Sequence, residues 1–180
     1  VMAHLTVSVE YGIHCLLWLA SSEGTAPSSR DLAELQGISP SFLAKIFPKL
    51  EKAGIVKASE GVRGGYRLAL PLESISVLHI VDAIEGDKPL FGCQEIRHHC
   101  AMFGDAPPTW ATSGVCAIHA VMLKAEKAMR DELAAHSLAD LATTFAAKAP
   151  PEFIAQVQGW MSERVSARKP GRRTKPEAPS

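Results

Sequence analysis

Between Ser28 and Gly54 the chain writes two short amphipathic helices on either side of a tight turn, and few folds accommodate that spacing. Ser28 or Ser29 can cap the first, SSRDLAELQ, with Leu32 and Leu35 inward and Gly37 as its stop. Ser39 caps the second, SPSFLAKIFPKLEKAG, with Pro40 at the favoured first position and Gly54 at the end. Leu43, Ile46, Phe47 and Leu50 share one stripe and are expected to be buried; Ser41, Ala44 and Lys45 fall on the outer side. Pro48 removes one backbone hydrogen bond within this helix and marks a place for a kink.

A β-hairpin follows at once. Ile55 to Ala58 reads as one strand, EGVRGG as the turn, and Tyr66 to Leu70 as the return. A hairpin directly after a helix-turn-helix is a wing, and Arg63 at its tip is in reach of a phosphate or the minor groove. The expected fold is mostly α: a winged helix-turn-helix DNA-binding domain with a β-hairpin wing and a long dimerisation helix. Ser39, Ser41 and Lys45 on the second helix, with Arg63, Gly64 and Tyr66 on the wing, are the expected DNA-contacting residues.

The remaining helices follow from apolar periodicity. Thr6 to Ser21 is predicted as a first helix with Val9, Ile13, Leu16 and Ala20 toward the core. Glu10 and His14, four apart, share a face beside that stripe, which from spacing alone reads as an exposed Glu–His pair. Cys15 reads as a buried thiol. Residues 75–85 form another helix, with Val77, Leu78, Val81 and Ile84 inward. From Ala117, the stripe of Ile118, Val121, Met122, Ala125, Met129 and Leu133 runs over more than four turns. It can pair with a second copy or pack within the subunit. Ser137-x-x-Asp140 opens a short helix as a capping-box variant. After Pro150-Pro151 comes a last amphipathic helix bearing Phe153, Val157, Trp160 and Met161. The resulting division is a winged head over 1–88, a loop over 89–116, a dimerisation helix and a short helix over 117–149, an amphipathic helix over 150–166, and a basic, Pro-rich disordered tail over 167–180.

The loop carries the chemistry. Cys93, Cys100 and Cys116, with His98, His99 and His119, surround a stretch rich in Gly, Pro, Ser and Thr that has no helical or strand period. A packed core does not need thiols and imidazoles gathered about an irregular loop, whereas a metal centre does. The spacing C-x6-C-x15-C lacks the short pair of a zinc knuckle.

Composition narrows the classes. With 6% aromatic residues, a stacking platform for single-stranded nucleic acid is disfavoured, and 47% hydrophobic content is enough for a genuine core. The longest apolar run, Ile13 to Ala20, is too short to span a membrane, and no signal peptide is evident, so the expected location is cytoplasmic. In that compartment clustered cysteines serve as ligands or redox sensors more often than as disulfides. No oxyanion architecture accompanies the Cys/His segment, so an enzyme is not expected, nor is a small-molecule substrate.

VEYGIHCLLWLA, LAELQGISPSFLAKIFPKLEKAGIV, GVRGGYRLA and SVLHIVDAIEG, followed by cysteines ahead of a long helix, resemble the Rrf-two family of winged-helix transcription regulators. That resemblance covers roughly residues 6 to 141. It implies a homodimer on palindromic promoter DNA, with an iron–sulfur cluster, expected as 2Fe-2S, for a redox sensor. In IscR-like members three cysteines and a histidine hold the cluster, which would map to Cys93, Cys100, Cys116 and His119. RsrR-like members use a Glu and a His from the first helix with two cysteines, which maps to Glu10, His14, Cys93 and Cys116. The strings VEYGIHC and CQEIR are closest to this second group, so those four are the expected ligands, with Cys100 and His119 as second choice. A cluster-free or zinc-bound thiol-sensing repressor of the same fold is the alternative.

Overall fold

The computed structural model describes residues 5–22, 24–59 and 64–168. Helix α1 spans Val7–Ser21, α2 Ser29–Gln36 and α3 Pro40–Lys52. Strands β1 (Val56–Ser59) and β2 (Gly65–Leu68) form the hairpin, and α4 (Val77–Glu85) follows a short 3-10 turn. Two more 3-10 turns and the four-residue α5 (Thr109–Thr112) lie in the cysteine loop. Then come α6 (Ala117–Ala135), α7 (Leu138–Ala146) and α8 (Pro151–Ala167).

Local chemistry explains most boundaries. Ser28 accepts from the Asp31 amide while the Asp31 carboxylate accepts from the Ser28 amide, a full capping box that starts α2. Gly37 ends α2 in the left-handed region. Ser39 stands at the cap of α3, as expected, but its hydroxyl bonds Ser41 Oγ at 2.9 Å and makes no cap hydrogen bond. The Phe42 amide, which a capping hydroxyl could take, donates to Ser39 O at 3.0 Å instead. Helix α3 runs on through the exposed Pro48 to Lys52. The hairpin pairs Val56 with Leu68 and Ser59 with Gly65, so both strands sit slightly off their expected bounds. Residues 60–63, and with them Arg63, lie outside the described residues, as does the tail from 169.

The core is one cluster. Leu16, Leu32, Leu43, Phe47, Leu50, Ile55, Ile75, Ile80 and Leu138 have essentially no exposed surface. On α1 the buried arc is wider than expected: Val9, Gly12, Cys15, Leu16, Trp18 and Leu19 are buried, while Ile13 and Ala20 are half-exposed. The reason is that α1 is covered on several sides, by α2, α3, α4 and α7. A Cβ built on Gly12 would lie 2.5 Å from Ile84 Cδ1, so α4 crosses α1 where a side chain is missing. A Cβ on Gly65 would meet the Ala26 carbonyl at 1.9 Å, and Tyr66 N donates to Pro27 O at 2.9 Å; the wing is rooted on the loop before α2. On α4, Ile80, Val81 and Ile84 are buried, and Val77 and Leu78 only partly.

The C-terminal helices divide. Val77 N donates to His136 O (2.8 Å) and Leu138 N to Ile75 O (2.7 Å), stitching the α6–α7 corner to the start of α4. Arg130 on α6 grips both carboxylate oxygens of Asp82 on α4, at 3.0 and 2.9 Å. Leu133 also packs against the core, but no residue of α6 is fully buried, and toward its start Ile118 and Val121 are 62% and 63% exposed. By contrast α8 joins the head. Val157 and Met161 enter the core, Trp18 contacts the rings of Phe145 and Phe153, and Gln158 Nε2 donates to Ser21 O at 2.9 Å. The helix runs to Ala167, one residue past its expected end, and Arg168 bonds Asp31 and Gly64 rather than beginning a tail.

Candidate metal centre and nucleic-acid interface

The cysteine loop folds back on the start of α6. Leu90 N donates to Glu126 Oε2 at 3.0 Å, fixing where the loop leaves the head. Arg97 then organises the remainder: its guanidinium donates to the carbonyls of Thr112 (3.3 Å), Ser113 (3.2 Å) and Gly114 (2.6 Å) and to Glu95 Oε2 (2.9 Å). Beside this network lies a half-open pocket of about 480 Å³ whose lining includes Cys93, Glu95, Arg97, Cys116 and His119. Cys116 is the N-cap residue of α6, and His119 lies one turn on, its ring 6.0 Å from that of Phe91.

Of the expected ligands, Cys93 and Cys116 therefore share one half-buried pocket, and His119 joins them. Cys100 is exposed and does not line it. Glu10 and His14 are exposed on α1 and line a separate groove of about 550 Å³ with Leu5, Thr6, Val7, Val9 and Ile13. Within one chain that groove and the cysteine pocket share no lining residue. All four cysteines are free thiols, and burial pushes the Cys15 thiol up to about 12, an inert core group.

Sequence reasoning missed Glu95. It is the one non-glycine with positive φ (50°) among the described residues, and its carboxylate faces Cys93, Sγ to Oε1 at 3.6 Å. The hydrogen bond from Arg97 holds this carboxyl below its usual range. Cys93, Glu95 and His119 are the one group of three metal-ligating side chains whose donor atoms all lie within 4.8 Å of one another, among the described residues. The C-x-E spacing two residues after Cys93 was the available signal. As for the implied cluster, the two thiols of Cys93 and Cys116 on one pocket are the donors an iron–sulfur group takes.

Helix α3 presents a polar outer face. Ser39, Ser41, Ala44, Lys45 and Pro48 are all exposed along one side of α3, with the buried stripe on the other. Lys49, also exposed, donates its Nζ to Ile84 O at 2.7 Å. Tyr66 lays its ring on Phe47, centroids 4.6 Å apart, so it ties the wing to α3. The Gly64 carbonyl accepts from Arg168.

A helix-turn-helix whose second helix exposes a polar face, backed by a two-stranded wing, defines a winged-helix DNA-binding regulator. Residues 5–144 match the family model for Rrf2, described as an iron-dependent transcriptional regulator, and the chain belongs to that family. It is 36% identical over 138 residues to protein rrf2 of Nitratidesulfovibrio vulgaris, covering 76% of this chain and 85% of that protein. It is 40% identical over 83 residues to the HTH-type transcriptional regulator IscR of Aliivibrio salmonicida, covering 45% of this chain and 49% of that one. Among solved structures, T. potens IscR superposes with a TM-score of 0.60 at 25% identity, over 84% of this chain and 95% of the other. CymR of B. subtilis, at 23% identity and a TM-score of 0.59 over 78% and 96%, shares the fold. These relatives are transcription regulators and not enzymes, as expected here. No helix among the described residues is long and apolar enough to cross a membrane.

Proposed function

We propose that the chain acts as a homodimer that binds palindromic promoter DNA and senses redox or iron–sulfur status through a 2Fe-2S cluster shared between subunits. Cys93 and Cys116 of one subunit would hold it together with Glu10 and His14 of the partner subunit. The observation that carries this reading is the separation just described: two thiols in one pocket, and an exposed Glu–His pair on a different groove of the same chain. A second copy is the simplest way to complete either half. Ile118 and Val121, which share one face of α6 and stand open in the single chain, support pairing through this helix.

Bound there, the cluster supplies one-electron redox chemistry at a potential raised by imidazole ligation. The chain's own contribution is mechanical. Arg130 ties α6 to α4, and α4 packs on α1 and α3, so a change in how two α6 helices meet moves the two reading heads. Half-sites match only one head spacing, so affinity follows cluster state if the two states hold the heads differently. Ser39, Ser41 and Lys45, with Arg63, Gly64 and Tyr66 of the wing, form the proposed DNA contacts.

The test is an anaerobic absorption spectrum with iron and sulfide counts. Cys93→Ala, Cys116→Ala and His14→Ala are expected to lose the cluster, and Cys100→Ala to keep it. Retention in His14→Ala with loss in Cys100→Ala would overturn the ligand set. A wild type that takes up no iron and sulfide on anaerobic reconstitution would favour the thiol-sensing alternative. For readout, Lys45→Ala should weaken operator binding by about 1–3 kcal/mol.

A further inference from the structure

Three donors in the cysteine pocket converge without a second chain. The Cys93 thiol, a Glu95 carboxylate oxygen and a His119 ring nitrogen all lie within 4.8 Å of one another. Around a tetrahedral first-row divalent ion, with bonds of 2.0–2.3 Å, neighbouring donors stand about 3.4 Å apart. The Cys93–Glu95 separation of 3.6 Å is already close to that value.

Glu95 is built as a ligand is built. One oxygen, Oε2, is anchored by Arg97 Nε at 2.9 Å, which leaves Oε1 turned to the thiol. Arg97 is itself fixed by the three carbonyls of the segment just before Cys116. Outer partners of this sort orient metal-binding carboxylates. The left-handed backbone of Glu95, unfavourable for a residue with a Cβ, is held by the same contacts. His119 is set by the first turn of α6 and by Phe91.

We infer that Cys93, Glu95 and His119 form a site within each subunit for a single divalent transition-metal ion, with the fourth position left to water. One thiolate, one imidazole and one carboxylate suit Zn²⁺ or Fe²⁺ rather than Mg²⁺ or Ca²⁺. Binding releases the thiol proton to solvent. Because Cys93 is common to this site and to the proposed cluster, the ion and the cluster exclude each other, and the regulator reads cluster supply against free divalent metal.

The experiment is an anaerobic Co²⁺ titration of the cluster-free full-length chain, followed through the thiolate-to-cobalt charge-transfer and d–d bands, with circular dichroism to check folding. Wild type, Cys116→Ala and His14→Ala should each bind one Co²⁺ per chain. Cys93→Ser should abolish the charge-transfer band. Glu95→Gln and His119→Ala should weaken binding at least tenfold, and Arg97→Ala by about tenfold through loss of the anchor. Folded Glu95→Gln and His119→Ala proteins with wild-type affinity and spectrum would overturn the site, as would loss of cobalt in Cys116→Ala. Cluster loading, measured in parallel, separates the two readings. Glu95→Gln should retain the cluster, and a cluster kept by His14→Ala would defeat the shared ligand set while leaving the cobalt result intact.

Discussion

Arg168, the residue after the last helix, lays its guanidinium on the carboxylate of Asp31 in the first turn of α2, 137 positions earlier in the chain. The same group reaches the carbonyls of Gly64 in the wing and of Ala26, the latter at 3.3 Å. Three segments that frame the reading head thus meet on one side chain, and Asp31 is almost wholly buried beneath it. Arg168→Ala should cost about 1–3 kcal/mol, because it strips a charged partner from a buried carboxylate. Urea denaturation checks that figure, and DNA binding should weaken with it. An unchanged midpoint would mean that the contact contributes nothing.

Gly12 and Gly65 predict unequal costs for the same added methyl. At Gly12 the obstacle is the end of the Ile84 side chain, which can turn aside, so Gly12→Ala should cost about 1–3 kcal/mol. At Gly65 it is the Ala26 backbone, which cannot. Gly65→Ala should be the more damaging and should loosen the wing. Thermal melts of the two variants decide the order.

The four thiols should separate on alkylation under native, metal-free conditions. Cys100 is exposed and should react first; Cys93 and Cys116, half-buried, should follow. Cys15, buried and pushed up to about 12, should stay unmodified until the protein unfolds. Mass spectrometry of the labelled chain reads this directly.

Thr6 at the cap of α1 donates its amide to Glu85 at the end of α4, at 3.0 Å, and its hydroxyl to the same oxygen. Partial burial acts to raise the Glu85 carboxyl, but the bonds from Thr6 prevail and hold it below its ordinary value of 4.5. A lowered folded value means stability that is present above the unfolded value and is lost as pH falls through the folded one. The melting temperature of the wild type should therefore exceed that of Glu85→Gln at neutral pH, with the gap closing below about pH 4.5. A constant gap across that range would remove Glu85 from the account.

If α6 is the pairing surface, a charge on its open ridge should dissociate the assembly. Val121→Asp, at a position 63% exposed in the single chain, should leave the fold intact and shift the protein to monomer in sedimentation. A dimer of wild-type affinity would place the interface elsewhere.

How far the sequence reached depends on the range of the interactions concerned. The buried stripe of α3, the Ser137–Asp140 capping box and the helix-turn-helix order all arise from residues within a few positions of one another, and each was legible as written. Cys93 and Cys116 were recognisable as chemistry because thiols in an irregular loop have little other use. Glu95 was not, since a left-handed glutamate aimed at a thiol is produced by Arg97 bonding carbonyls 15 to 17 residues away, and no local pattern encodes that. The same holds for α8. Its amphipathic face showed that it must be covered, yet only the packed structure chose Trp18 and the α1–α2 region as the cover and carried Arg168 to Asp31. Periodicity and caps are short-range and leave their mark in the sequence. The choice among equally apolar partners is made by long-range packing, which sets the pocket, the wing root and the open ridge of α6.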